Sequence, residues 1–386
     1  MIAGNDGGKM LAGVKVIDLT SVVFGPYTTK ILADLGAEVI KVEALNGDTA
    51  RYIGKPSATP GMGPVFMALS RGKTSLALDL KLPEHVARVR ALIADADVFI
   101  LNIRGKAAER LGFDYDAVKA IKPDIIYVHC TGFAQDGPYA DLQAYDDVIQ
   151  AASGTTSLLS RVDGDPRPRY LPSLIADKVS GLHGAYAVLG AIIHRMRTGE
   201  GQRVEVPMFE AFTNFMLLEH LSGLTFDPPN APACYFRQID PDRQPFPTSD
   251  GAISIVPYTS AMLPRIFALL DDDAFLASDA ITTCTNPAQK LVLLYRRIAA
   301  MTPHFTTAEL VARCHKAEVP AQAVRDIADI MSDPHLHATG FFERRTHPSE
   351  GEWFAMKPPV KFGVEVPVAD GEPQLLGTGN KAPEGL

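Results

Sequence analysis

The feature that most constrains the fold is a regular alternation of short β-rich runs and helical runs between Leu11 and about Gly132. Strand–helix alternation of this kind predicts a parallel, doubly wound sheet. Ligands bind such sheets outside the carboxyl ends of the strands, so we expect functional residues there. The predicted strands are Val14–Leu19, Glu38–Glu43, Ser75–Leu80, Val98–Ile103 and Ile125–His129, and the predicted helices are Pro26–Leu35, ended by Gly36, and Pro83–Asp95.

The remainder of the chain is less regular, and its length of 386 residues suits two domains rather than one. A stretch rich in Pro and Asp, Thr225 to Pro247, predicts an irregular linker or loop. The middle region after it has the pattern of a small α/β domain. The elements predicted beyond Gly132 are a largely helical region from Gln143 to Ile193, a strand at Arg203–Val206, a long helix from Phe209 to about Leu224, a strand at Gly251–Pro257, helices at Ala261–Leu270, Gln289–Met301 and Thr306–Lys316, and strands and loops from Asp333 to Pro367.

Composition and charge narrow the class of protein. A net charge of −8 argues against nucleic-acid or anionic-membrane partners, although it leaves room for a local basic pocket. The four cysteines contain no CxxC pair, which predicts reduced thiols in a cytoplasmic protein and no zinc site. Met1 to Lys9 is polar and Gly-rich and predicts a loose tail rather than a signal peptide. The most apolar stretch, Ala176 to Ile193, carries Asp177, Lys178 and His183, so we expect a buried helix rather than a membrane span.

A single carboxylate, Asp177, lies at the start of that apolar, small-residue helix. An acid in this place meets the unpaired N–H groups and the positive end of the helix dipole. On its own, such a residue is most simply an N-cap.

A set of short segments spread over the chain resembles the family III CoA-transferases, the formyl-CoA and carnitine CoA-transferase family. Each segment alone is a weak signal, but their order and spacing agree from Leu11 to about Phe342. The matching segments begin with Val16-Ile-Asp-Leu-Thr, Gly25-Pro26 and Leu35-Gly-Ala-Glu-Val-Ile-Lys-Val-Glu43, continue with Ser70-Arg-Gly-Lys-Thr-Ser-Leu-Ala-Leu-Asp-Leu-Lys81, Ala96-Asp-Val-Phe-Ile-Leu-Asn102 and Glu109-Arg-Leu-Gly112, and end with Ala144-Tyr-Asp-Asp-Val-Ile-Gln150, Arg197-Thr-Gly-Glu-Gly-Gln-Arg-Val-Glu-Val206 and Asp333-Pro-His-Leu-His-Ala-Thr-Gly-Phe-Phe342.

The resemblance implies an α/β fold with a Rossmann-like large domain, a parallel sheet and a smaller α/β domain. It implies a large CoA-binding domain from residues 1–208 and 333–386, a linker helix at 209–230 and a small domain at 231–332. It further implies a cytoplasmic homodimer of two interlocked rings. The expected substrates are an acyl-CoA and a carboxylic acid, with no permanently bound cofactor, no metal, and no nucleic-acid or membrane partner.

The resemblance also implies a covalent mechanism, because an Asp at the position of Asp177 is the family's nucleophile. Its carboxylate attacks the acyl-CoA thioester, and CoA then forms a thioester with the aspartate. Tyr145 matches a tyrosine of the active site. The implied CoA-binding residues are Lys73, Arg71, Asn102, Ile103, Arg104, Arg110 and Asp146; for Lys73, Arg71 and Arg110 the alternative is a solvated charge.

One departure from the family bears on the substrate. Val23 stands where formyl-CoA transferase has an active-site glutamine, and that enzyme's glycine-rich loop has no counterpart here. Formyl-CoA and oxalate are therefore unexpected as substrates. Val23 and Phe24 favour a larger or less polar acyl group.

Four other functions remain alternatives. The first is a 2-methylacyl-CoA racemase that uses Asp177 as a base; Tyr145 stands where the racemases have His, which leaves Asp146 as the second base. Since we read His183 as a packing or hydrogen-bonded histidine, it does not restore the pair. The others are a CoA-binding protein without turnover, a NAD-dependent oxidoreductase, which the absence of GxGxxG disfavours, and a metal hydrolase built on His335 and His337.

Overall fold

The structure is a computed structural model that describes residues 9–257, 259–363 and 371–381. Most of the predicted N-terminal tail, residues 1–8, lies outside the described residues, as does Pro367. The helices are α1 (Phe24–Asp34), α2 (Pro64–Ser70), α3 (Pro83–Ala94), α4 (Gly105–Leu111), α5 (Tyr115–Ile121), α6 (Asp146–Ala152), α7 (Leu158–Asp163), α8 (Ile175–Thr198), α9 (Met208–His220), α10 (Leu263–Leu269), α11 (Asp279–Thr282), α12 (Pro287–Met301), α13 (Thr307–Lys316) and α14 (Pro334–Ala338). The strands are β1 (Lys15–Leu19), β2 (Glu38–Glu43), β3 (Lys73–Ala77), β4 (Val98–Leu101), β5 (Ile126–Thr131), β6 (Gln202–Pro207), β7 (Phe246–Pro247), β8 (Ala252–Ile255), β9 (Ala321–Ala323), β10 (Phe342–His347) and β11 (Gly351–Met356).

The predicted parallel sheet is confirmed. Six strands lie in the order β3-β2-β1-β4-β5-β6, and every neighbouring pair is parallel. The strand order reverses between β1 and β4, whose last residues, Leu19 and Leu101, are partners in the register. A reversal of this kind opens a crevice at the carboxyl ends of the two strands, where doubly wound sheets bind their ligands.

Both faces of this sheet are buried, which explains why its central strands are almost continuously apolar. Val98 to Leu101 of β4 are all fully buried. Successive side chains point to opposite faces of a strand, so each strand contributes to two cores. One core contains Val16, Ile100 and Val128 together with Phe24 of α1 and Val188 of α8, and the other contains Ile17, Phe99 and Tyr127 together with Val89 of α3 and Val118 of α5.

The outer edge of the sheet, strand β3, is covered by the C-terminal segment of the chain. The side-chain amide of Asn380 makes the two hydrogen bonds that a neighbouring strand would make. Its Oδ1 accepts the Ala77 N–H at 2.9 Å, and its Nδ2 donates to the Ala77 carbonyl at 2.8 Å. The Oε1 of Gln374 accepts the Ser75 N–H at 3.0 Å. An open edge strand can pair with other chains, and these contacts close it.

The chain divides into two compact units. The first contains the described residues up to Thr155, those from Tyr170 to Met216 and those from Pro334 on. It holds the parallel sheet and the antiparallel hairpin β10–β11. The second contains Thr156–Arg169 and Leu217–Asp333, with a three-stranded antiparallel sheet in the order β7-β8-β9. Its helix α13 begins after Thr306, whose side chain accepts the Glu309 N–H and caps the helix.

Some boundaries differ from those predicted. Strand β3 begins at Lys73, two residues before the predicted start at Ser75, because Lys73 and Thr74 pair with Val39 and Ile40 of β2. Because Lys73 and Thr74 are polar, the hydrophobic pattern of the sequence does not show that they belong to the strand. No helix within the described residues combines the length and apolar character that crossing a membrane requires.

Candidate active site

Helix α8 brings Asp177 into its first turn, with the carboxylate inside the first unit. The residue is 7% exposed, although it is only the third residue of the helix. The N-cap position of α8 is Leu174, whose side chain cannot accept a hydrogen bond from the first turn. Asp177 therefore does not have the solvent-facing geometry of an ordinary N-cap, which was the simplest interpretation of the residue alone.

Close packing between α8 and α1 sets the position of that turn. Gly181 and Gly184 face α1, and a Cβ at Gly181 would lie 3.0 Å from the Phe24 carbonyl oxygen and 2.8 Å from Cδ1 of Tyr27. A Cβ at Gly184 would overlap the Thr28 side chain. The Thr28 hydroxyl donates to the Gly181 carbonyl at 3.1 Å, which bridges the two helices. The glycines thus allow an approach that any other residue would prevent.

This packing yields a prediction with a matched control on the same helix. We expect Gly184→Ala to destabilise the protein by about 1–3 kcal/mol, because α8 must move away from α1 to admit the methyl group. Gly190→Ala introduces the same group where nothing lies within 4 Å, and we expect it to be neutral or stabilising by up to about 1 kcal/mol, since alanine favours a helix. Urea unfolding of both variants measures the difference, and equal stabilities would contradict the packing argument.

Two groups act on the Asp177 carboxylate. Burial has the largest effect on its pKa, the charge of Asp146 comes next, and the backbone N–H of Phe24, in the first turn of α1, favours the charged form. Burial and the negative charge of Asp146 act in the opposite direction and prevail, so the pKa of Asp177 is raised to about 7. A buried carboxylate whose pKa lies near neutrality is typical of a catalytic group.

Asp146 is held in place by contacts on either side. Its Oδ1 accepts the backbone N–H of Asp177 at 3.0 Å, so it satisfies one of the free donors at the start of α8. Its Oδ2 accepts from Gln150 Nε2 at 2.6 Å. The Oε1 of Gln150 accepts the Leu171 N–H at 2.8 Å, and its Nε2 also reaches the Ser173 carbonyl at 3.2 Å. Helix α6 therefore fastens the loop that leads into α8.

Tyr145 immediately precedes α6 and is 63% exposed. Its backbone is next to that of Asp146, but its ring faces outward in this chain. His183 donates from Nδ1 to the Val179 carbonyl, 2.9 Å away, and packs against the ring of Tyr186. The expectation of a hydrogen-bonded packing histidine is confirmed.

The loop after β4 contains three of the residues predicted to bind CoA. Asn102 is half-buried and hydrogen-bonds Ser21, in the loop after β1, so the two loops are joined at the crevice between β1 and β4. The Ile103 carbonyl is held by Nε2 of buried His129 at 2.9 Å. Arg104 follows and is exposed, and Arg110 is exposed in the last turn of α4. Both cations are therefore exposed at the ends of the helix that follows β4.

Arg71 and Lys73 are placed differently, and the alternative of a solvated charge is wrong for both. Each is 3% exposed. The Lys73 ammonium donates to the Pro26 carbonyl at 2.9 Å and to Thr29 Oγ1 at 2.7 Å, and pairs with Asp18 at 3.4 Å. Burial lowers the pKa of Lys73 to about 8.

Arg71 forms ion pairs with Asp34 at 3.5 Å and with Glu343 at 3.4 Å. It also lines a cavity of about 430 Å³ beside Met67 and Trp353, which does not include Asp177. Arg71 and Lys73 are therefore engaged by the protein's own oxygens.

Val23 and Phe24 are both buried. The ring of Phe24 lies in the core between the sheet and α8, so its contribution to the site is the backbone N–H rather than an apolar surface. Sequence reasoning missed this donor, because a backbone group leaves no mark in the residue pattern. It also missed Gln150, for which the i, i+4 spacing from Asp146 on a helix was the available signal.

No group of three or more possible metal ligands occurs among the described residues. The four cysteines, all described, are free thiols, and Cys130 and Cys314 are buried.

Comparisons with known proteins by family model, by sequence and by structure all indicate the same family. The family model described as CoA-transferase family III matches residues 11–378. The chain is 31% identical over 339 residues to a succinate–glutarate CoA-transferase of Agrobacterium fabrum, which covers 86% of this chain and 84% of that protein. It is 30% identical over 335 residues to the beta subunit of a succinyl-CoA–L-malate CoA-transferase of Chloroflexus aurantiacus, which covers 85% and 81%. A crystal structure of a CaiB/BaiF family protein from Brucella suis matches 97% of this chain and 98% of that one, with a TM-score of 0.82 and 28% identity.

Proposed function

Because this chain belongs to CoA-transferase family III, we propose that it transfers CoA from an acyl-CoA to a carboxylic acid through a thioester on Asp177. The observation that carries the proposal is the burial of the Asp177 carboxylate beside Asp146, which raises its pKa to about 7. A desolvated carboxylate with a raised pKa is a better nucleophile than one in water.

The reaction runs in four balanced steps. An Asp177 oxygen attacks the thioester carbonyl, CoA leaves as thiolate, and a mixed anhydride remains. The thiolate attacks the Asp177 carbonyl, so the donor acid leaves as carboxylate and an aspartyl-CoA thioester forms. The acceptor carboxylate attacks this thioester and expels the thiolate, which gives a second anhydride. The thiolate then attacks the acceptor's carbonyl, which produces the new acyl-CoA and regenerates the Asp177 carboxylate. No water is consumed, and one thioester replaces another.

The surrounding residues have defined roles in this scheme. We assign the role of oxyanion donor to the Phe24 N–H, because it favours the charged form of Asp177 and negative charge develops on an Asp177 oxygen when the thiolate attacks. Asp146 and Gln150 hold the first turn of α8. We assign Tyr145, which is exposed beside this turn, to contact with the bound substrate.

A mass measurement tests the proposal directly. After incubation with an acyl-CoA and no acceptor acid, we expect the intact protein to gain the mass of CoA less one water, on the peptide that contains Asp177. Hydroxylamine should release the adduct, because it attacks thioesters. Transfer that proceeds at full rate without any such adduct would contradict the covalent scheme.

The racemase alternative finds little support in the site. Its second base would be Asp146, and both oxygens of Asp146 accept hydrogen bonds from the protein itself. Incubating one enantiomer of a 2-methylacyl-CoA in deuterated water separates the two activities. Rapid deuteration at the α-carbon without an acceptor acid would favour the racemase, and we expect none.

CoA recognition is assigned to the loop after β4 and to Arg104 and Arg110 at the two ends of α4. We expect Arg110→Ala to raise the KM for acyl-CoA about tenfold with little change in kcat, because a lost phosphate contact weakens binding uniformly. The same substitution should have a much smaller effect with a 3′-dephospho-CoA thioester. Lys119→Ala, at an exposed lysine of α5, is the control. An equal loss with both thioesters would place Arg110 away from the 3′-phosphate.

We also propose a homodimer. Helix α8 carries an exposed apolar stripe that no described residue covers: Leu182, Tyr186, Ile193 and Met196 are between 51% and 68% exposed. Apolar stripes of this kind are normally buried against a partner, and a second copy of the chain is the partner that the family resemblance implies. Light scattering after gel filtration should give twice the mass of one 41.6 kDa chain. A monomer at micromolar concentration would contradict the proposal.

A further inference from the structure

The short loop after β1, from Thr20 to Val22, has an unusual arrangement, because side chains from outside the loop hold its successive backbone groups. Oδ1 of Asn102 accepts the Ser21 N–H at 3.1 Å, and Nδ2 of Asn102 donates to the Ser21 carbonyl at 2.9 Å. Oδ1 of Asp48 accepts the Val22 N–H at 2.8 Å. The loop is therefore fixed from β4 on one side and from the segment after β2 on the other.

The loop needs this support, because Val22 has a φ of +71°. A β-branched residue in the left-handed region is strained, since its side chain crowds the backbone, and it persists only where the surroundings impose it. Helix α1 begins two residues later, at Phe24. The direction in which the Phe24 N–H points is consequently set by the conformation at Val22.

A buried ion pair between Lys41 and Asp48 also supports the loop from Thr20 to Val22. The Lys41 ammonium lies 2.7 Å from Asp48 and donates to the Thr20 carbonyl at 2.8 Å. The Thr20 N–H in turn donates to Asp18 at 3.0 Å. Asp48 also accepts the Ala50 N–H at 2.9 Å, so its carboxylate is itself held in one orientation. Groups locked in this way can hold a neighbouring segment to within a fraction of an ångström.

We propose that Asn102 and Asp48 are positioning residues, which hold Ser21 and Val22 so that α1 presents the Phe24 N–H to Asp177. The inference rests on the proposed role of Asp177 as nucleophile. It also reassigns Asn102, which the sequence places among the CoA-binding residues, because both polar atoms of its amide are used on Ser21.

The role of Asn102 can be separated from CoA binding by the kinetic parameter that changes. We expect Asn102→Ala to lower kcat by about 10²-fold, because displacement of the donor misplaces the reacting groups, while the KM for acyl-CoA stays within about threefold of wild type. A raised KM with an unchanged kcat would show that Asn102 contacts CoA and would overturn the proposal. Should Asn102→Ala fail to fold, Asn102→Ser removes the same two-point contact with a smaller loss of polarity.

The pH profile supplies a second readout that a merely structural role would not move. The Phe24 N–H favours ionised Asp177, so its displacement shifts the acid limb of the kcat/KM profile to higher pH. Asp146, the charged group that acts on Asp177, stays in place because Gln150 of α6 holds it. An acid limb that does not move in Asn102→Ala would overturn the proposal.

Asp48 offers a conservative pair of variants. Asp48→Asn keeps an oxygen for the Val22 N–H but loses the charge that pairs with Lys41, whereas Asp48→Ala loses both, so Asp48→Asn should retain more activity than Asp48→Ala. Asn46→Ala, at an exposed residue of the same segment, is the control and should behave as wild type. Equal losses in Asp48→Asn and Asp48→Ala would refute the hydrogen-bond role. Failure of the proposed function gives a different result, namely full turnover in Asp177→Ala.

Discussion

Replacement of Asp177 by alanine is expected to lower kcat for CoA transfer by about 10⁴-fold or more, as for removal of the nucleophile of other covalent enzymes. The fold should survive, because the alanine removes a desolvated carboxylate whose burial opposes ionisation. Binding of CoA, measured by calorimetry, should be nearly unchanged, since the residues assigned to it follow β4. The measurement is transfer of CoA from succinyl-CoA to a panel of carboxylic acids.

The matched control for this variant is Asp116→Ala. Asp116 is an exposed acid in the first turn of α5, so it shares the helix position of Asp177 without its burial. We expect it to retain wild-type turnover. If Asp177→Ala retained turnover as well, Asp177 would be a structural residue, and the covalent scheme would be lost.

The second large effect is on the pH dependence of the reaction. In the proposed scheme only the ionised carboxylate attacks the thioester, and the pKa of Asp177 is about 7, so kcat/KM should fall about tenfold for each pH unit below about 7. An unperturbed aspartate would keep full activity down to about pH 4. The raised pKa thus moves the loss of activity by several pH units, into a range that is easily measured.

Asp146→Asn tests the cause of this shift. The asparagine keeps an oxygen for the Asp177 N–H and removes the like charge that disfavours ionisation of Asp177. The acid limb should therefore move to lower pH in this variant. A limb that stays in place would mean that burial alone raises the pKa, and a limb at about pH 4 in the wild type would contradict the buried site itself.

The sequence predicted the architecture of the first unit well, because its signals are local. Apolar runs bounded by Gly and Pro mark the strands, and Gly36, with a φ of +100°, follows the end of α1 as expected. The α/β class and the parallel sheet are confirmed. Boundaries failed where polar residues join a strand, as Lys73 does in β3, since burial of a charge depends on partners that are distant along the chain.

For the candidate site, the sequence could predict which residues take part but not how they are arranged in space. The family resemblance pointed to Asp177, but nothing local shows that Phe24 turns its N–H toward it or that Asp146 lies beside it. The same limit explains Lys73 and Arg71. Each is a basic residue at a matching position, and only the three-dimensional arrangement shows that internal oxygens enclose them. Their assignment to CoA stays a prediction.

The covering of β3 by the C-terminal segment has a consequence for synthesis on the ribosome. Asn380 and Gln374 reach the sheet about 300 residues after Ser75 and Ala77 have been made. Until translation passes Asn380, the backbone groups of strand β3 are free to pair with strands of other chains, which is a known route to aggregation. Premature termination shortly before that residue would leave Asp177 and its neighbours in the chain and release a polypeptide that depends on chaperones to stay soluble.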